Sequence, residues 1–192
     1  MKMTEKSTGT DVVSATVIAG GGVKESAGAS GVYTVVCIGP DGVEKWRDTF
    51  PNLVVNVGLQ LMNSTFFTGS AYTAAWYLGL VNGPGSGTTF AASDTMSSHG
   101  GWSEDTTYSN ATRPAVTFGS PSLADPSVIA STPTSFTING TTTIAGAFLT
   151  TDNTKGGTSG TLFSASDFTG GDRLLQSGDT LNVTYTFSLD AP

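Results

Sequence analysis

The chain has 192 residues, of which 38% are hydrophobic and only 12% are charged, and it carries a net charge of −7 at pH 7. This length suits one domain with appendages rather than two full cores. Its eight Lys and Arg residues are too few and too scattered to bind a phosphate backbone, so we predict no nucleic-acid partner. Cys37 is the single cysteine, which excludes an internal disulfide and a cysteine-based zinc site.

Residues 1–30 are predicted to form an extended N-terminal arm. The segment is rich in Ser, Thr, Gly and Ala, includes three glycines at 20–22, and has too little apolar surface to offset its ordering entropy. It lacks the apolar stretch of a secretory signal, and no part of the chain is apolar enough for a membrane span. We expect the arm to bind a partner by adding a strand to a sheet edge, or alternatively to pack on its own domain. The candidate partner-binding residues in the arm are Val12, Val13, Val17 and Ile18.

The folded region opens with a predicted β-hairpin. Residues 33–38 are rich in β-branched and apolar side chains, residues 39–42 (GPDG) form a strong turn signal, and residues 43–50 resume extended structure. Leu53, Val57 and Leu61 then recur at helical spacing, which predicts one short helix near residues 53–64 with Asn52 as its cap.

The remaining pattern is typical of strands. Residues 180–189 alternate strictly between apolar and polar side chains, which predicts a buried face of Leu181, Val183, Tyr185 and Phe187. Across from it we expect Trp76 and Leu78, or Tyr77 and Leu80. The other predicted strands are residues 74–81, 113–118, 135–139 and 142–150, and residues 83–111 are predicted to form a long surface loop. The fold class is therefore all-β: an antiparallel β-sandwich, jelly-roll-like, over residues 31–192, with one short helix.

The residues with catalytic potential do not form a recognisable constellation. Ser98 and His99 lie in one loop with Asp94 and Asp105 as alternative acids, but neighbouring positions do not align a nucleophile, a base and an orienting acid. The scattered acids lack the pairing of a glycosidase and the ladder of a Ca²⁺ loop, so we predict no enzyme activity, no cofactor and no metal. Trp102 remains a candidate partner-binding residue, because it lies with Phe90 and Met96 in the polar loop.

Several ordered blocks of this sequence resemble a family of small structural proteins of tailed bacteriophages. The blocks are EKWRDTFPNLV (44–54), GSAYTAAWYLGL (69–80), DTMSSHGGWSE (94–104), YSNATRP (108–114), AGAFLT (145–150), KGGTSGTL (155–162) and SGDTL (177–181). The resemblance covers roughly residues 31–189 and implies a virion protein that assembles in the cytoplasm of the bacterial host. In this family His99 and Trp102 would belong to a structural loop.

These observations lead to the expectation of a capsid decoration (cement) protein. It would bind the outside of the major capsid protein shell, stabilise it, and use the arm as a strap between capsomers. Since shells offer two-fold and three-fold sites, we expect a homodimer or homotrimer. The alternatives are a tail or fibre component and a carbohydrate-binding receptor module that uses Trp102.

Overall fold

The computed structural model describes residues 28–69, 75–83 and 88–190, which form two antiparallel sheets packed face to face. The predicted β-sandwich with one short helix is therefore confirmed for the described residues. The first sheet contains β1 (Gly28–Ile38), β2 (Glu44–Pro51), β6 (Ser127–Ala130), β7 (Thr134–Thr137) and β11 (Thr180–Asp190). The second contains β3 (Leu53–Val54), β4 (Tyr77–Asn82), β5 (Glu104–Asp105), β8 (Thr142–Thr150), β9 (Leu162–Asp167) and β10 (Arg173–Leu175). The helix α1 spans Asn56–Phe67.

The first and last strands lie side by side in the middle of the first sheet. β1 pairs with β11 over its whole length, from Gly28 opposite Asp190 to Ile38 opposite Thr180. β2 flanks β1, and β6 and β7 both pair with the far side of β11. Among the described residues the sheet thus starts at Gly28, three residues before the predicted domain boundary.

The alternating pattern of β11 forms the core as predicted. Leu181, Val183 and Tyr185 are buried, whereas Phe187 is only partly buried and packs at the edge of the core. Leu78 and Leu80 are both buried in the same core and Trp76 packs against it, so both residues of the first alternative and one of the second face β11. Tyr77 is not part of this core.

The β1–β2 hairpin also forms where the turn signal predicts it. Gly42 has φ +79°, a left-handed conformation that favours glycine, and its N–H donates to the carbonyl of Gly39 at 2.9 Å.

The second sheet is buried on both faces, which explains its continuous apolar strands. One face packs on the first sheet, and the other is covered by the segment that follows residue 88, through Met96 and Trp102. β8 runs through the middle of this sheet between β4 and β9. At Gly146 a Cβ atom would lie 1.9 Å from the carbonyl oxygen of Ser166, so only glycine permits this close strand approach.

The helix begins later than predicted, and Asn52 does not cap it. The residue before the helix is Val55, and Leu53–Val54 forms a short strand on β9 instead. The Asn52 amide donates to the hydroxyl of Tyr185 at 2.9 Å. Gly58 fits close backbone packing, because a Cβ there would approach the carbonyl oxygen of Phe163 to 2.7 Å.

Two further predictions, one for a strand and one for a loop, differ in detail from the structure. Residues 113–118 were predicted as a strand but make only isolated bridges, at Ala115 and Phe118, because the buried side chain of Arg113 and the ring of Pro114 interrupt regular pairing. Within residues 83–111, the described part lies largely at the surface as predicted, but Met96 and Trp102 are buried against the second sheet and Glu104–Asp105 forms β5. Of the described helices, none is long and apolar enough to cross a membrane.

Candidate functional site

The loop with the predicted chemistry is organised around the indole of Trp102. The indole N–H donates to the Asp94 carboxylate at 3.0 Å, and the Ala91 N–H donates to the same oxygen at 3.1 Å. The His99 ring stacks on the indole at 4.0 Å, and its Nδ1 lies 3.0 Å from the carbonyl oxygen of Trp102. The acid that a Ser–His–Asp arrangement would need beside His99 is thus directed at the indole.

The prediction that Trp102 binds a partner is not supported by its position. The side chain is only 6% exposed, and its ring packs on Phe148 of β8 at 5.2 Å between centroids. Met96 is buried in the same cluster, and Phe90 is partly buried against it. These residues form a second core instead of an interface, because the second sheet needs cover on its outer face. The carbohydrate-binding interpretation loses the exposed ring on which it depended.

A buried ion pair joins Arg113 and Glu104. The guanidinium donates to both carboxylate oxygens, at 3.0 Å and 2.7 Å, and the two side chains are 0% and 7% exposed. Its other N–H groups donate to the carbonyl oxygens of Asp152 and Gly157 at 3.0 Å and 2.7 Å. Arg113 also lies over the ring of Phe148, 5.2 Å from its centroid.

The partners of Glu104 complete this cluster. The Tyr108 hydroxyl and the Gly156 N–H donate to its carboxylate at 3.3 Å and 2.8 Å. The pKa of Tyr108 is raised well above its ordinary value, first by burial and then by the negative Glu104. Lys155 donates to the carbonyl oxygens of Tyr108 and Asn110. With its donors and acceptors engaged in this way, the cluster ties β5 to the segment that follows it and to the loop between β8 and β9, and we call it a structural clamp.

Other acidic residues hold loops in place. The Asp105 carboxylate accepts bonds from the Thr107 N–H and the Thr142 hydroxyl. Asp179 accepts the Lys45 ammonium at 2.8 Å. Asp48 lies 3.5 Å from the guanidinium of Arg173. Among the described residues, no group of three or more His, Cys, Asp or Glu side chains could hold a metal ion.

Cys37 is buried in the first core, in agreement with the prediction from its apolar neighbours. Burial raises the pKa of its thiol to about 11, and the negative Asp179 adds to the rise. The thiol therefore stays protonated near neutral pH, and only the thiolate is a strong nucleophile.

The helix exposes three large apolar side chains, Leu59, Phe66 and Phe67, which we call the α1 outer face. Asn56, Gln60 and Asn63 are exposed on the same helix, so its outer surface is mixed. Phe66 is 75% exposed and Phe67 is 86% exposed, although each carries a large ring. The helix contains no charged residue in its sequence NVGLQLMNSTFF. The sequence periodicity predicted the helix but not its exposed apolar residues. The adjacent pair of phenylalanines at the end of the helix could have indicated them.

A second apolar feature is the end cleft, a cavity of about 160 Å³ at one open end of the sandwich. Its lining is apolar and aromatic and comes from both sheets and the helix. The lining includes Met62, Trp76, Ile129, Leu149, Phe163 and Phe187.

The arm residues Val12, Val13, Val17 and Ile18 lie outside the described residues, so their predicted role stays a prediction. Comparisons with family models, curated proteins and solved structures found no match to this chain.

Proposed function

We propose that this chain is a non-enzymatic structural protein of a phage virion, a decoration protein that binds the outside of the major capsid protein shell. The observation that carries the proposal is the α1 outer face. Two adjacent, largely exposed phenylalanines are costly to leave in water, and exposed apolar clusters are a common mark of an interaction site.

The charge of the chain supports this assignment. A net charge of −7 favours solubility, whereas the helix has no charge that a partner would need to desolvate. A rigid sandwich with two packed cores suits a protein whose task is mechanical. The block resemblance to small phage structural proteins supports a role in the virion, and a homodimer or homotrimer would match the symmetry of shell sites.

The direct test is addition of the purified protein to capsid shells that lack it, followed by cosedimentation and electron cryomicroscopy. Many copies spread over the shell are expected. Copies confined to the tail would favour the tail or fibre alternative, and an absence of bound protein would refute the proposal.

Variants sharpen the test of the α1 outer face. Phe66→Ser and Phe67→Ser should weaken shell binding by at least about tenfold, since each removes an aromatic contact worth on the order of 1.5–3 kcal/mol when buried. Leu123→Ser is the matched control, because Leu123 is fully exposed in a loop outside the helix. Equal effects at all three positions would show that the helix is not the contact surface.

A further inference from the structure

We infer that the end cleft is the docking site for the N-terminal arm of the same chain, with residues 12–18 seated against its apolar lining. The inference concerns how the arm is held and stands apart from the proposed function. It develops one of the two alternatives for the arm that the sequence leaves open.

The cleft is an unfinished part of the core. Phe187 and Leu189 continue the inward-facing row of β11 beyond Tyr185, yet Phe187 is only partly buried and Leu189 is 40% exposed. On the opposite side Met62 of α1 and Phe163 of β9 face the same space. An apolar cavity of about 150 Å³ can hold a ligand as large as benzene, so about 160 Å³ is enough for an aliphatic side chain.

The arm leaves the sheet beside this cleft. Gly28, the first described residue, pairs with Asp190 at the end of β11, and Ala29 pairs with Leu189. At ~3.4 Å per residue, the arm begins about 10 Å along the strand from Phe187. The ten residue steps from Gly28 to Ile18 can span up to ~35 Å, so the arm easily reaches the cleft.

The chemistry of the arm matches that of the cleft. The segment from Val12 to residue 22 carries no charge and includes the β-branched side chains Val13, Val17 and Ile18. Glycines 20–22 supply the conformational freedom for the chain to reverse direction. A short tether also raises the effective concentration of the segment to the millimolar range, which favours docking on its own domain over a neighbouring copy.

Hydrogen exchange on the full chain tests the docking. Ile18→Asp should displace the segment and increase exchange by at least about tenfold in β6 and the end of β11, because a charge cannot enter the apolar cleft. Ile18→Val should leave exchange nearly unchanged. Val43→Asp adds the same charge at the exposed hairpin turn and should have no effect on these strands. Unchanged protection in Ile18→Asp would overturn the inference.

A cysteine pair distinguishes the possible occupants. Ile18→Cys combined with Ile129→Cys should form a disulfide within one chain, and much faster than Ile18→Cys combined with Val43→Cys. Equal rates would mean that the arm does not dock, and a bond only between two chains would mean that a second copy fills the cleft. If Tyr72→Ser increases hydrogen exchange in β6 while Ile18→Asp does not, residues 70–74 cover the cleft instead, and the inference fails.

Discussion

Replacement of Arg113 by Met should destabilise the fold strongly, because it leaves a buried carboxylate without its cation. Arg113 is 0% exposed and donates four hydrogen bonds, two to Glu104 and two to backbone carbonyls. Met fills similar space but donates none of them. Glu104 would keep only the donors from Tyr108 and Gly156.

The expected magnitude follows from the depth of the pair. Removal of one partner from a buried ion pair costs about 3–5 kcal/mol, far more than the loss of an exposed pair. For a chain of this size about 1 kcal/mol shifts Tm by roughly 2–4 °C, so Arg113→Met should lower Tm by roughly 6–20 °C.

Thermal unfolding of four proteins isolates the cause: wild type, Arg113→Met, Glu104→Gln and the double variant. The double variant should lose less stability than the sum of the single variants, since it removes both the cation and the stranded charge. Arg47→Met is the matched control, because Arg47 pairs with Glu44 on the surface. If Arg113→Met unfolds at the same temperature as Arg47→Met, the clamp does not hold the loops together.

Three further outcomes follow from the buried groups. Iodoacetamide should modify Cys37 slowly at pH 7.5 and rapidly in denaturant, because burial raises the pKa of the thiol to about 11; rapid labelling of the folded protein would contradict this. Burial raises the pKa of Asp167, and the negative Asp172 adds to the rise, so the folded state binds this proton more tightly than the unfolded state. Ionisation therefore weakens folding, and Asp167→Asn should raise Tm at pH 7, with a gain that disappears as the pH falls below the carboxyl pKa; a gain that persists in acid would refute the assignment. Leu181→Ala should cost about 2–5 kcal/mol in chemical denaturation. Phe187→Ala should cost less than a fully buried Phe, because its ring lies at the partly open cleft.

The sandwich could be predicted because the apolar and polar pattern of each strand indicates which of its faces are buried. The alternation in β11 reports one buried face, and the apolar run before Asn82 reports a strand buried on both faces. Gly42 marks its turn because few other residues adopt positive φ. In each case a local pattern decides a local structure.

The candidate site could not be predicted in the same way, because its residues depend on distant partners. β9 was missed since its serines look polar, yet Ser164 is buried and bonded to the hydroxyl of Tyr33 at 2.7 Å. Arg113 resembles a surface residue until Glu104 and the loop after β8 are brought beside it. Trp102 appeared available because nothing in its own loop indicates that it covers Phe148.

The two proposals meet at α1, because the helix contributes Met62 to the end cleft and Phe67 to the α1 outer face. If arm docking fixes the helix in place, Ile18→Asp should weaken shell binding indirectly, while Phe67→Ser should weaken it without any change in hydrogen exchange at β6. If Ile18→Asp increases hydrogen exchange in β6 but leaves shell binding unchanged, the arm completes the core and has no role in shell binding. If Phe67→Ser increases hydrogen exchange in β6, the aromatic pair supports the fold instead, and the α1 outer face is not the contact surface.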